Sequence, residues 1–266
     1  MTISAVNMET GQILREDVSS WRSNKQDEAW RAIRKKRFNQ PDFTCSNMKE
    51  IKEVIGSLDE RYCGYLLLLQ CYSDYKKRGG LLVISRKQLK PMKRIDMQNA
   101  LGISKRAFGD FLKALIKKRI IIQTPNGFKV NDSYHWKGGS KADYFVKVYT
   151  KNLKALYKEI HAKDLGFIYK LLPYIHYENN LLCNDANEKE INLIQPLSKG
   201  DLATVTGCST KTVYNKLKRL KFRGMYIFKE VNKGNQKTYM ANPFIFYRKN
   251  GEANESLYSS FNICNK

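Results

Sequence analysis

Apolar residues recur at helical spacing in two stretches of the chain, each time after a glycine and a serine. Between Pro196 and Ile227, Leu202 and Val205 share one face of a short helix that begins at Asp201. Gly207 permits a tight turn, and Ser209 supplies a hydroxyl to cap the next helix. Val213, Leu217 and Leu220 then form an inward stripe, which leaves Thr210, Lys211, Tyr214, Asn215 and Lys218 on the outer side. After Gly224, Met225, Ile227 and Val231 predict a strand, Lys233-Gly234-Asn235 a turn and Thr238-Tyr239-Met240 a returning strand. Helix, turn, helix and basic hairpin together predict a winged helix.

The same pattern stands 105 positions earlier without a gap: Pro91 matches Pro196, Asp96 matches Asp201, Gly102 matches Gly207 and Ser104 matches Ser209. Leu112, Lys113, Leu115 and Ile122 continue the match with Leu217, Lys218, Leu220 and Ile227. The identities fall on turn, cap and core positions. In this first copy Phe108, Leu112 and Leu115 point inward, while Lys105, Arg106, Gly109 and Lys113 point outward. A shorter hairpin with its turn at Pro125-Asn126-Gly127 is the expected second wing. Upstream of the copies, Leu66 to Gln70 and Ile168 to Leu172 each predict an apolar helix. A strand comes next at Leu81 to Ile84 or Leu181 to Cys183.

The expected fold class is mainly α with small β-hairpins (α+β). It comprises two tandem winged helix-turn-helix domains plus an N-terminal basic helical extension. Residues 1–45 read as an arm, loose or a short hairpin around Gly11, and a helix carrying Arg34, Lys35, Lys36 and Arg37. Residues 46–145 read as the first domain, 146–163 as a connecting segment after the Gly138-Gly139 hinge, 164–251 as the second domain and 252–266 as a polar tail. Glu60 to Lys77 is expected as one helix, and Pro173 is expected to kink the helix that contains it. Glu178, Asp185, Glu188 and Glu190 form the one acidic patch, expected to face away from phosphate or toward a basic surface.

Charge gives these elements a chemistry. The formal net charge is +23 over 266 residues, which would repel the chain from itself and implies a polyanionic partner. Fourteen Lys or Arg against two acidic residues lie between Lys76 and Arg119, and ten against two from Ser198 to Lys237. Helix-end preferences do not account for that surplus. No long apolar span or signal peptide is present, so a membrane partner is not expected and cytoplasmic residence, nucleoid-associated in a prokaryotic host, is. Six cysteines lack any Cys-x-x-Cys pair and three histidines lack metal-ligand spacing, so no metal and no cofactor is expected. Tyr214 and Tyr239 are candidate tyrosine nucleophiles. The His-x-His pair of a rolling-circle enzyme and the His-x-x-Arg of a tyrosine recombinase are both missing, so no enzymatic activity is expected.

The segment KGDLATVTGCSTKTVYNKLKRLKFRGM, followed by a hairpin and NPFIFYRKNG, resembles the winged helix of Gram-positive plasmid replication proteins. The tandem arrangement is similar to initiators that bind repeated origin sites. The first copy departs from the pattern at Lys105-Arg106-Ala107-Phe108 and in its short wing. The resemblance implies a double-stranded DNA partner, replication or transcription machinery beside it, and a chain acting as monomer or dimer. Lys105, Arg106, Lys211 and Asn215 are the expected readers of base edges. Arg34, Lys36, Arg37, Arg94, Ser104, Lys113, Lys129, Lys199, Ser209, Thr210, Tyr214, Lys218, Lys233, Asn235 and Lys237 are expected on the same DNA-facing surface. Arg248 and Lys249 are expected near it. Two joined copies predict a direct repeat or a non-palindromic target. Replication initiation on a plasmid or phage genome is the expected process, transcriptional regulation its alternative, and an architectural DNA-bridging role or a recombinase the remoter ones.

Overall fold

Backbone conformations that only particular residues tolerate fix the two helix pairs. The structure, a computed structural model, describes residues 41–74, 80–85, 89–138, 144–233, 236–249, 251 and 253–262, with positions 5–6, 10, 12–15, 25 and 28 ahead of them. In residues 1–40, β1 (Ala5–Val6) pairs antiparallel with β2 (Ile13–Arg15), and Lys25 and Glu28 are helical. Arg34, Lys36 and Arg37 lie outside the described residues, as does Asn235.

From residue 41 onward the first half contains β3 (Phe43–Asn47), α1 (Glu50–Ser57), α2 (Glu60–Leu69), β4 (Ser73–Asp74) and β5 (Leu81–Leu82). It continues with α3 (Arg94–Leu101), α4 (Lys105–Lys117), β6 (Ile121–Thr124), β7 (Gly127–Val130) and β8 (His135–Trp136). The second half runs β9 (Phe145–Tyr149), α5 (Thr150–Tyr157), α6 (Ala162–Leu171), α7 (Lys199–Thr206), α8 (Thr210–Arg219), β10 (Lys221–Phe222), β11 (Met225–Tyr226), β12 (Phe228–Lys233), β13 (Gln236–Ala241), β14 (Phe246–Tyr247) and α9 (Glu255–Asn262). The fold is mixed α+β with small antiparallel sheets.

Gly102 and Gly207 end α3 and α7 in the left-handed region, at φ +62° and +67°. A Cβ at either would meet open space, so the backbone angle, not crowding, calls for glycine. The Ser104 and Ser209 hydroxyls accept from the Ala107 and Thr212 amides at 3.3 and 3.2 Å, and Asp96 and Asp201 accept from the Lys93 and Ser198 amides at 2.8 and 2.9 Å. Each helix pair is followed by a hairpin, β6 with β7 in one half and β12 with β13 in the other.

The halves meet about a local twofold axis. In the four-stranded sheet β14-β9-β3-β8, Cys45 stands opposite Lys147, flanked by Phe43 opposite Tyr149 and Asn47 opposite Phe145. A shift of 102 positions exchanges Cys45 with Lys147 and carries the pair Phe43/Tyr149 onto the pair Phe145/Asn47. Above the sheet α2 and α6 cross so closely that a Cβ on Gly64 would lie 2.0 Å from the Ala162 carbonyl oxygen, and one on Gly166 1.7 Å from that of Glu60. These four residues obey the same exchange. One apolar core passes through both halves, from Met48 and Leu66 to Phe167, Leu202 and Phe246, and residues 41–266 pack as one unit.

Several expectations change on this frame. The helix from Glu60 ends at Leu69, not Lys77, because Ser73 and Asp74 pair with Leu82 and Leu81 as strands. Pro173 does not kink a continuing helix: α6 stops at Leu171 and Pro173 sits in the short 3-10 turn Leu172–Tyr174. The stretch 146–163 carries most of β9 and all of α5, and β9 is a central strand. Beyond Gly251, α9 buries Leu257 and Phe261. Arg248 is withdrawn from the surface, 2% exposed, its guanidinium donating to the carbonyls of Phe145, Ile175 and Ala186 and to Asn187 Oδ1. Burial lowers its pKa to about 10.

Gly64→Ala and Gly166→Ala are each expected to cost at least about 2 kcal/mol, read as a lower urea midpoint at unchanged slope. Gly56→Ala on α1, where a Cβ meets nothing within 4 Å, serves as the neutral control. Equal stability of all three variants would refute the crossing.

Candidate nucleic-acid interface

On α8 the stripe Val213 and Leu217 is buried as its spacing requires. Lys216 also turns inward, where its ammonium meets Glu60 at 3.0 Å and Asp164 at 3.6 Å and lies 4.9 Å from the Phe167 ring centre. Arg219 closes the same acid at 2.8 Å. Lys216 is therefore spent inside the fold, whereas Arg219 is paired but stays on the surface, its side chain 57% exposed. Thr210, Lys211, Tyr214, Asn215 and Lys218 remain exposed.

The matching face of α4 exposes Lys105, Arg106, Asp110 and Lys113, with Gly109 half-buried between them, while Phe108, Phe111, Leu112 and Leu115 are buried. Phe111 packs edge-on against Tyr62 and Tyr65 of α2, at centroid distances of 5.4 and 5.3 Å. Lys216 occupies the equivalent place against Asp164 and Phe167 of α6. Both outer helices thus rest on α2 and α6 toward the N-terminal ends of those helices. The opposite ends meet the sheet: Gln70 accepts hydrogen bonds from Thr44 and Ser46 in β3, and Tyr169 bonds His135 in β8. The helices α4 and α8 accordingly lie on the same side of the molecule, away from the sheet.

One cluster here was not legible in the sequence as a cluster. Lys199 at the start of α7 and Lys218 on α8 place their ammonium groups 4.8 and 4.5 Å from the Tyr214 ring centre. A hydrogen bond to Lys218 and the charge of that ammonium hold the Tyr214 phenol below the ordinary tyrosine range, with Lys199 adding to the effect. The cleft beside it is walled by Tyr226 of β11 and by Lys229, Glu230 and Tyr239 of the β12–β13 hairpin. Glu230 is itself occupied, by Lys237 at 2.8 Å and the Tyr239 hydroxyl at 3.2 Å, and Lys237 holds its carboxyl below the usual range.

The remaining expected residues divide by position. Arg94 is exposed, its guanidinium 5.8 Å from the Phe108 ring centre, and Lys129 is half-buried on β7. Ser104 and Ser209 are exposed but their hydroxyls serve as caps. Lys237 is exposed and tied to Glu230, and Lys233 ends β12. Lys249 pairs with Glu178 of the acidic patch. Sequence periodicity did not single out Lys117 at the end of α4 and Lys118 and Arg119 after it, or Lys221 and Arg223 after α8, all exposed. Only the count of basic residues contained them.

Among the described residues no group of His, Cys, Asp or Glu is placed to hold a metal ion, and no helix is long and apolar enough to cross a membrane. Burial pushes the thiols of Cys45, Cys63, Cys71 and Cys183 up to about 12, so they remain protonated fillers. The chain matches no protein family, no curated protein and no solved structure.

The Tyr214 environment makes a spectroscopic prediction. Subtracting the ultraviolet pH titration of Tyr214→Phe from that of the unaltered protein is expected to reveal one phenolate forming below the ordinary tyrosine value of about 10. Lys218→Met is expected to move that transition upward. A transition at the ordinary value in both proteins would show that the lysines do not act on the phenol.

Proposed function

We propose that the chain is a sequence-specific double-stranded DNA-binding protein built from two tandem winged helix-turn-helix modules, and that it initiates replication on a plasmid or phage genome. One observation carries the DNA reading. Two helices with buried apolar faces present Lys105, Arg106 and Lys113, and Lys211 and Lys218, outward on the same side, and none of the five forms an ion pair among the described residues. Cations left unpaired by the fold, in a chain of net charge +23, are available to phosphate and to guanine. The replication process rests on the resemblance of the second module to plasmid replication proteins.

In this reading the outer helices enter successive major grooves, with Arg106, Lys211 and Asn215 at base edges. The two hairpins and the basic residues after each helix hold phosphates and set the register. No bond is made or broken. A twofold arrangement inside one chain supplies what single-module proteins obtain by dimerising, so a monomer is sufficient for two contacts.

Footprinting against plasmid and phage origin DNA tests the reading. A protected site is expected whose affinity falls steeply with salt. Arg106→Ala and Lys211→Ala are each expected to weaken it by about 1–3 kcal/mol, and Lys113→Ala to weaken all sequences alike and reduce the salt slope by about one. Absence of duplex binding at low salt would refute DNA binding. Deletion of the gene tests the process, since loss of replicon maintenance supports initiation, while altered transcription at intact copy number replaces it with regulation.

A further inference from the structure

The twofold axis extends the DNA reading, on which this step rests, to the orientation of the two half-sites. Readers related by a twofold approach a duplex in opposite senses, one on each strand direction, as the two subunits of a symmetric dimer do. Here the operation is visible in the central strands, where Cys45 faces Lys147, and in the crossing helices, where Gly64 meets Ala162 and Gly166 meets Glu60. It also relates the supports of the outer helices: Phe111 on Tyr62 and Tyr65, Lys216 on Asp164 and Phe167. Since α4 and α8 rest on the same ends of α2 and α6, the operation that exchanges the halves exchanges the outer helices as well.

The two readers are equivalent in placement but not in chemistry. At positions 105 apart, Asp110 on α4 corresponds to Asn215 on α8, both exposed and one turn beyond Arg106 and Lys211. A carboxylate at that place accepts from the cytosine amino group, whereas the carboxamide pairs in bidentate fashion with adenine.

We propose that one chain reads an inverted, imperfect palindrome: two half-sites in opposite orientation, with cytosine under Asp110 where the other half carries adenine under Asn215. This replaces the direct repeat expected from tandem order in the chain, because order along a polypeptide does not fix orientation in space.

Selection of binding sites from a randomised duplex pool by the full-length protein tests it, repeated with Asp110→Ala and Asn215→Ala. Both substitutions lie on exposed helix positions, and circular dichroism verifies the fold. The expected result is enrichment of two inverted half-sites of unlike sequence, with each variant losing about tenfold in discrimination at one base of one half only. Enrichment of two half-sites in the same orientation, of one half alone, or of no sequence while duplex binding persists, would overturn the proposal and leave DNA binding standing. Failure to retain any duplex would overturn both.

Discussion

The crossing of α2 and α6 is the constraint on which the remaining geometry depends. Two helices approach at Gly64 and Gly166 with backbone against backbone, closer than any side chain allows. Such an approach constrains the separation of the pair, because the nearest atoms to each glycine are backbone atoms of the other helix, the Ala162 and Glu60 carbonyls, which cannot repack as a side chain does. The outer helices are referred to those two: Phe111 and Lys216 seat α4 and α8 on their N-terminal ends, while Gln70 and Tyr169 tie their other ends to the sheet.

Electrostatics acts against this compactness and is resolved locally. A large positive charge repels itself at every separation within the screening length. The fold spends part of that charge inside. Lys216 is neutralised by Glu60 and Asp164, and buried pairs of this kind cost about 3–5 kcal/mol to break from one side. Arg248 takes its compensation from three carbonyls and an amide oxygen instead of a carboxylate. The exposed cations include Lys105, Arg106, Lys113, Lys117, Lys118 and Arg119 on and after α4 and Lys211, Lys218, Lys221 and Arg223 on and after α8, and others stand elsewhere, at Lys52, Arg61, Lys151 and Lys163.

The parts legible in the sequence were those where a single residue type answers a single backbone demand. Gly102 and Gly207 have positive φ, Ser104 and Ser209 cap, and Asp96 and Asp201 accept from the amides of Lys93 and Ser198, so the 105-residue repeat was visible through sparse identity. The apolar segments of α2 and α6 were also legible, at Leu66 to Gln70 and Ile168 to Leu172, but the crossing of the two helices was not. Beyond their first turns those helices are buried residue after residue, Cys63 to Leu69 and Asp164 to Tyr169, and the apolar runs Leu66 to Leu69 and Leu165 to Tyr169 have no periodicity to reveal the partner of each face. The shift between the two offsets arises because the loops joining the crossing helices to the outer ones differ in length. The sheet escaped for another reason: β3 and β9 pair across about a hundred residues, and no local pattern records a distant partner. Arg248 was misplaced because a basic residue near a chain end reads as surface unless its carbonyl partners are known.

Differences between the copies reflect which contacts the axis shares. A residue that touches only its own half is free to diverge, as Gly109 and Tyr214 or Asp110 and Asn215 have. A residue that crosses the axis is bound to a partner that is not its own counterpart. Lys216 crosses to Glu60, whereas Phe111 in the equivalent position stays with Tyr62 and Tyr65, an apolar seat on one side and an ionic one on the other. The support of α8 therefore depends on an acid from the first half, while that of α4 includes no ion pair at Phe111. In a symmetric dimer such a contact would recur twice or not at all. A fused pair is able to keep one of each, and so to hold two unlike outer helices in like positions.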